Sequence, residues 1–343
     1  MDDPRIEIRE GLLDNGLKVL VLSDHGAPVV TVQVWYRAGG RDEKEGQRGI
    51  AHLFEHMMFR GSENVAPEDH GRIIESVGGV ENAATGDDTT MYHDTVPADR
   101  LALAMELEAE RMARIELDEA HFHREREVVK EELRMLNQNN PMMALFERFR
   151  EVAYTTHPYR VSAIGKLDDI DNLTRGDLLA WHRTYYAPNN AVLIVVGDCA
   201  FERVMDLARE HFGPVPARPP PPAVTAAEPA QTGMRREELR FPVQLPFVFG
   251  GYKIPAASHP DAAALEVVQQ ILGGGKSARF HRSLIRDQGL AVVASAWNWG
   301  MKDPGLFMVL AGFMPEVAPG KVEEAVIGQV ERLGAEGPTP EEL

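Results

Sequence analysis

The sequence has few of the features that mark disulfide-bonded or membrane proteins. Its single cysteine, Cys199, excludes an internal disulfide, and its position after the apolar run AVLIVVGD indicates a small buried hydrophobe. No stretch reaches the 18 or more uninterrupted apolar residues of a membrane span, and the N-terminal MDDPRIEIRE lacks the basic-then-apolar order of a signal peptide. We therefore expect a cytoplasmic protein without a membrane partner, or a periplasmic or secreted one if a leader has been removed.

Basic residues are also in deficit, with 36 Lys and Arg against 53 Asp and Glu, and a formal net charge of −17. Because nucleic acids and anionic membrane surfaces are polyanions, this balance disfavours both as partners. The composition is otherwise that of a globular protein, with 44% hydrophobic and 26% charged residues, and 343 residues are enough for two domains.

A proline-rich run, GPVPARPPPPAVTAAEPA, divides the chain, because proline can neither continue a helix nor pair in a sheet interior. We predict a catalytic domain over residues 1–212, a linker over 213–232 and a second domain over 233–343. The second domain repeats the first in its order of strands and helices but is shorter, and GPTPEEL resembles the start of a further helix. We therefore expect an incomplete second copy.

Hydrophobic periodicity predicts an α+β fold, with two homologous α/β domains that each contain a mostly antiparallel sheet packed with helices. Two strands are expected in the opening segment, with Asn15-Gly16 as a tight turn, and another over 191–197. Strands are also expected around 80–97 and within 290–313. Helices are predicted over 49–60, 67–77, 98–114, 118–138, 141–153, 174–185, 261–272 and 319–333.

The pentapeptide HLFEH in the first of these helices predicts a metal site. On an α-helix His52 and His56 are separated by about 400°, so their side chains lie about 40° apart on one face, where one ion can bridge them. Glu55 projects beside the same face and can reach water at the metal. The alternative is an amphipathic helix whose histidines are solvated surface groups. A catalytic zinc site would also need a third protein ligand from another element.

The fourth predicted helix offers that ligand in HFHREREVVKEELRML. Glu125 and Glu132 stand seven residues apart and therefore share a face of the helix. Ion pairs between residues three or four apart explain most of the other charges, including Glu127 and Glu131. Spacing alone does not choose Glu132 over Glu131 or Glu125.

Five segments resemble the insulinase or pitrilysin family of zinc peptidases (family M16), which includes the β-type subunits of mitochondrial processing peptidase and bacterial two-domain peptidases. GIAHLFEHMMFRGSE resembles the zinc-binding helix of that family, and HREREVVKEEL resembles the helix that bears the third ligand. Three further stretches follow in the family order: GGVENAATGDDTTMYHDTVP, THPYRVSAIG and YYAPNNAVLIVVGD. The resemblance is specific over residues 10–200 and fainter from 240 onward.

The resemblance implies that His52, His56 and Glu132 bind Zn²⁺, that Glu55 is the general base, and that Glu125 is an additional acidic residue supporting the site. It implies a clamshell half of the processing-peptidase type, which hydrolyses unfolded peptides or oligopeptides. The segment ENAATG resembles the substrate-binding edge strand, with Asn82, Ala83 and Ala84 as substrate contacts. A homodimer, or a heterodimer with another M16 subunit, is also implied.

The second half departs from the family where many members carry an Arg and a Tyr that reach the substrate. Aligned on Gly289, those positions hold Ile285 and Val292, with Arg286 displaced by one, so a partner subunit would have to supply these groups. Two other functions compete with a peptidase. One is a non-catalytic assembly subunit, and the other is an HxxEH lyase, which would need a cysteine ligand much closer than Cys199. GGGKSAR over 273–279 lacks the Walker spacing, so we expect a loop rather than a nucleotide site.

Overall fold

The computed structural model describes residues 7–343, apart from the side chains of residues 137–139. Contacts divide the chain into two compact units, Met1–Thr232 and Gly233–Leu343. Among the described residues, no helix is both long and apolar enough to span a bilayer. The mixed α+β fold class predicted from the sequence is confirmed.

Unit 1 is built on a six-stranded sheet in the order β1-β2-β6-β3-β5-β4. The strands are β1 (Arg9–Leu12), β2 (Lys18–Ser23), β3 (Val29–Tyr36), β4 (Val80–Thr85), β5 (Thr90–Pro97) and β6 (Ala191–Gly197). All pairs are antiparallel except β2 with β6. Alternate residues of β3 and β5 are buried, which is the period-2 pattern of a sheet with one covered face.

The expectation of two strands in the opening segment was wrong, because the structure has three. The additional strand, β1, is short and mostly exposed at the edge of the sheet. Its sequence therefore lacks the apolar alternation that makes β2 and β3 recognisable.

Eight α-helices complete the described part of unit 1, and their buried faces contribute to one continuous core with the sheet. They are α1 (Ile50–Met57), α2 (Asp69–Ser76), α3 (Leu101–Arg114), α4 (Glu119–Asn139), α5 (Pro141–Ala153), α6 (Leu167–Asn172), α7 (Arg175–Tyr185) and α8 (Phe201–His211). Six of these eight correspond to predicted helices, and α6 and α8 were not predicted from the sequence. Helix α1 contacts both α4 and β4, which determines the site described below.

Unit 2 has a three-stranded antiparallel sheet, in the order β7-β9-β8, with its own hydrophobic core. Its elements are β7 (Phe247–Lys253), α9 (Ala262–Gly273), a π-helical segment (His281–Asp287), β8 (Val293–Trp299), β9 (Leu306–Gly312) and α10 (Pro319–Glu336). Residues 274–278 form a loop after α9, so the loop predicted over 273–279 is present but is one residue shorter at each end.

The proline-rich segment has no regular secondary structure, yet it is tied to unit 1 through Glu228. The Glu228 carboxylate accepts hydrogen bonds from the backbone N–H groups of Thr155 and Thr156 at 2.8–2.9 Å and from that of His157 at 3.1 Å. These donors lower the pKa of Glu228 to about 2 against the opposing effect of its partial burial. The end of this segment is therefore bound to unit 1 by hydrogen bonds.

Candidate metal centre

Helix α1 presents His52 and His56 from a rigid support. Its other face is fully apolar, with Ile50, Ala51, Leu53, Phe54 and Met57 buried in the core. The helix begins after Gly49, whose φ of +102° and close neighbours require glycine. A Cβ there would lie 2.9 Å from the Ile164 carbonyl oxygen.

Glu43 holds the start of α1 in place, a role that no motif in the sequence indicates. Its two carboxylate oxygens accept hydrogen bonds from the backbone N–H groups of Gly49 at 2.9 Å and Ala51 at 3.0 Å. Burial raises the pKa of Glu43 to about 8, while these two N–H groups act in the opposite direction. A helix N-terminus offers unpaired N–H groups, so carboxyl oxygens that accept hydrogen bonds from them stabilise it. No spacing rule links residue 43 to residue 50.

The structure brings His52, His56 and Glu132 together. Glu132 Oε2 on α4 lies 3.6 Å from His56 Nε2 and 3.9 Å from His52 Nε2. One possible ligand atom from each of the three residues lies within 4.8 Å of the other two. A tetrahedral zinc site with bonds of about 2.0–2.1 Å spaces its ligand atoms about 3.3–3.4 Å apart. Two imidazoles and a carboxylate at these separations therefore fit a zinc ion, which they would hold as three protein ligands.

Glu125 lies behind His56 rather than among the donors. Its Oε2 is 3.4 Å from His56 Nδ1, and its Oε1 forms an ion pair with Arg60 Nε at 3.0 Å. Burial by itself would raise the pKa of Glu125, but the hydrogen bond to His56 and the Arg60 charge outweigh it and lower that pKa. A carboxylate at Nδ1 holds the His56 proton there and leaves the Nε2 lone pair free for a metal.

His52 is also set up as a neutral donor. Burial, reinforced by the neighbouring His56, lowers the pKa of His52 to about 4. The two imidazole rings are 4.8 Å apart, centroid to centroid, and nearly perpendicular. Neutral imidazole is the form that binds metals, so His52 can coordinate near neutral pH without first losing a proton.

Glu55 faces β4 instead of α4. The hydroxyl of Thr85 donates a short hydrogen bond to Glu55 Oε2, and burial raises the pKa of the Glu55 carboxyl. No motif in the sequence singles out Thr85. The available indication was strand alternation, which places Thr85 on the same face of β4 as Ala83 and on the face opposite Asn82 and Ala84.

Asn82, Ala83 and Ala84 lie in β4, which pairs with β5 and ends the sheet. Asn82 and Ala84 are exposed, whereas Ala83 is half-buried on the face packed against the core. Within the described chain the outer edge of β4 has no strand partner, so its backbone groups are available to a further strand. The substrate roles of these three residues stay predictions.

A second group of possible ligands, His70, Asp94 and Glu108, is fully buried beside Arg111. His70 Nε2 lies 3.2 Å from both Asp94 oxygens, and Arg111 binds Glu108 through two nitrogens. A permanently charged guanidinium already neutralises these carboxylates, and it would repel a metal cation. This group is therefore a buried ion network.

In unit 2, Ile285 packs against the core and Val292 is 47% exposed. Neither side chain can replace an Arg or a Tyr, so the departure inferred from the sequence stands. Cys199 is buried, as predicted, and burial raises the pKa of its thiol.

Sequence comparison finds two family models that together span nearly the whole chain. Residues 18–166 match the insulinase family, peptidase family M16, and residues 172–343 match the M16 inactive domain. The second match begins inside unit 1, although β6 pairs with both β2 and β3 in the middle of the unit 1 sheet. The packing therefore assigns residues 172–212 to unit 1.

Individual relatives agree with these matches. The chain is 36% identical to the zinc protease PqqE of Helicobacter pylori over 328 residues, which is 94% of this chain and 73% of that protein. It is 28% identical to a probable mitochondrial-processing peptidase subunit beta of Arabidopsis thaliana, over 89% of this chain and 59% of that protein. A solved structure of a protease from Helicobacter pylori superposes with a TM-score of 0.93 at 34% identity, covering 98% of this chain and 82% of that one.

Proposed function

The chain belongs to the insulinase family of peptidases, family M16, and we propose that it is a zinc-dependent endopeptidase that hydrolyses peptide bonds in unfolded peptides or oligopeptides. The observation that carries the proposal is the convergence of His52, His56 and Glu132 from two separate helices, with Glu55 beside them. The name of the Helicobacter pylori relative, zinc protease, supports the choice of metal and of reaction.

In this proposal His52, His56 and Glu132 hold the metal, and the pair of Glu125 and Arg60 keeps His56 oriented. When bound, zinc supplies Lewis acidity, which makes water a stronger acid and polarises a carbonyl group. Glu55 accepts the proton of the attacking water and delivers it to the nitrogen of the leaving amine. Thr85 holds the Glu55 carboxylate in position through its hydroxyl. The raised pKa of Glu55 makes it a stronger base than a solvated glutamate.

The substrate is proposed to add to β4 as a further strand. Backbone hydrogen bonds to the outer edge of β4 would bind any extended peptide, whatever its sequence. Asn82, Ala83 and Ala84 would form this edge, and the small alanine side chains leave room for a close approach. A folded protein cannot offer a free strand in this way, which favours unfolded peptides as substrates.

We further propose that a second M16 chain completes the site, as a homodimer or a heterodimer. Ile285 and Val292 occupy the positions where many family members have the Arg and Tyr that reach the substrate. The relative from Arabidopsis thaliana is named as a subunit, which supports an assembly of this kind. Mass measurement in solution tests the proposal, and a strict monomer that cleaves peptides at full rate would contradict it.

The function is tested by metal analysis coupled to a peptide-library cleavage assay. Glu55→Gln should retain zinc and lose peptide cleavage, by about 10²–10⁴-fold, because the general base is gone while all three ligands remain. His52→Ala should lose both. Glu132→Gln removes a charged ligand and should weaken zinc binding. Glu131→Gln is its matched control and should not, since Glu131 is an exposed neighbour paired with Arg134. A wild-type protein that binds no zinc, or a Glu55→Gln protein with full activity, would refute the proposal.

A further inference from the structure

A cavity of about 330 Å³ opens directly beside the proposed catalytic residues. Glu55 and His56 form one end of it. Its other lining residues come from the loop after α1, from α2 and from β4, and they are Phe59, Arg60, Glu68, Gly71 and Glu81. At about 30 Å³ for each water in the liquid, the cavity has room for on the order of ten water molecules. It can therefore hold one long side chain of a bound peptide.

The cavity has a strongly negative lining. Three glutamates face it, and its single guanidinium, that of Arg60, is already engaged with Glu68 at 2.9 Å and with Glu125 at 3.0 Å. Glu81 is different, because its Oε2 atom is buried and has no hydrogen-bond partner among the described residues. A buried carboxylate oxygen without a donor costs free energy, so a ligand that brings a donor gains by binding there.

The position of Glu81 follows from the alternation of β4. Glu81, Ala83 and Thr85 point to the same half-buried face of the strand, and Thr85 hydrogen-bonds Glu55 on that face. Opposite Glu81, α2 carries Gly71, where a Cβ would lie 2.9 Å from Glu81 Oε1. Glycine at 71 therefore makes the space that the Glu81 carboxylate occupies.

We propose that Glu81 is a specificity-determining residue that selects a lysine or arginine side chain next to the scissile bond. This inference rests on the proposed peptidase function. The aliphatic part of a lysine or arginine would pack against the Phe59 ring, and its cationic end would donate to Glu81. A peptide that pairs with the edge of β4 directs alternate side chains to the face that carries Glu81. An acidic side chain is disfavoured because it would meet the carboxylate-rich lining.

The test uses the zinc-loaded full-length protein and a peptide series in which Lys, Arg, Gln, Leu or Glu occupies each position around one cleavage site. The wild-type protein should cleave the Lys and Arg peptides with kcat/KM at least about ten-fold above that of the Gln peptide, at one position adjacent to the scissile bond. In Glu81→Gln the Lys-to-Gln ratio should fall to within about two-fold of unity, and in Glu81→Lys the preference should shift to the Glu peptide.

Glu75→Gln is the matched control, because Glu75 is an exposed carboxylate on α2 that does not line the cavity. It should keep the wild-type ratio. Gly71→Ala should lower the ratio without removing a charge, since its methyl group displaces the Glu81 carboxylate.

Failure of the inference differs from failure of the function. A wild-type protein that cleaves peptides without a basic preference, or a preference that survives in Glu81→Gln, overturns the role of Glu81 and leaves the peptidase intact. If no peptide is cleaved, the peptidase proposal fails, and binding of the Lys and Gln peptides by fluorescence anisotropy still decides the role of the cavity. Equal Kd values for the two peptides would then refute it, and tighter binding of the Lys peptide that is lost in Glu81→Gln would support it.

Discussion

Replacing Arg111 by methionine should destabilise unit 1 by about 3–5 kcal/mol, because it leaves a buried charge without its partner. Arg111 is 2% exposed and Glu108 is completely buried, with Arg111 Nε 2.9 Å from Glu108 Oε2 and a second bond from Nη2 to Oε1. Asp94, also buried, adds a second negative charge nearby. Methionine fills much of the arginine volume, so the loss would be chiefly electrostatic.

The electrostatic origin can be separated from packing in two ways. In the double variant Arg111→Met/Glu108→Leu, both charges are gone, so the cost should be at least about 2 kcal/mol smaller than the sum of the two single changes. The second way is pH. Burial raises the pKa of Glu108, and the charge of Arg111 lowers it. Without Arg111, the pKa of Glu108 in the folded state would therefore lie further above its unfolded value of about 4.3.

A carboxyl group that binds its proton more tightly in the folded state contributes most stability below its unfolded pKa. That contribution is lost as the pH rises toward the folded pKa. The deficit of Arg111→Met relative to wild type should therefore be larger at about pH 8 than at about pH 5.5. Hydrogen exchange of the amides in α3 and β5 measures this local free energy of opening. A deficit below about 1 kcal/mol, or additive single changes, would refute the reasoning.

Three further changes test other parts of the structure. Glu125→Ala should weaken zinc binding by about 10–100-fold, although it removes no ligand, because Glu125 orients His56. Competition with a chelator measures the zinc affinity, and an unchanged affinity would contradict this role of Glu125. Gly49→Ala should lower the free energy of unfolding by about 2 kcal/mol or more, because the Cβ is strained at φ +102° and lies 2.9 Å from the Ile164 oxygen. A denaturation midpoint equal to that of wild type would exclude this strain. Glu228→Ala should speed proteolysis within residues 213–232, because the backbone donors of residues 155–157 lose their acceptor; an unchanged rate would show that other contacts hold the segment.

Much of the site was predictable because its spacing is local. His52 and His56 share a face of α1, and Glu125 and Glu132 share a face of α4, since both separations are close to whole numbers of helical turns. The family resemblance then selected Glu132 among the acidic residues of α4. In the structure Glu132 lies within 3.9 Å of both histidines, while Glu131 pairs with Arg134 in solvent, and the role of Glu132 as a ligand stays a prediction.

Other features depended on contacts between residues far apart in the chain. No sequence period predicts these contacts, because each joins different elements: Glu43 with the start of α1, Thr85 with Glu55, and Glu81 with Gly71 beside the cavity. Strand β1 and the parallel pairing of β2 with β6 were likewise not evident from local pattern.

Local sequence spacing was enough to predict which helices carry the histidines and the acidic residues, and which face of each helix they occupy, because helical geometry converts spacing directly into direction. Packing between distant elements sets which of those faces meet, which carboxylate oxygen has no hydrogen-bond donor among the described residues, and where a cavity remains. Those outcomes depend on how helices and strands pack over long sequence separations, where small changes in position decide whether two side chains touch.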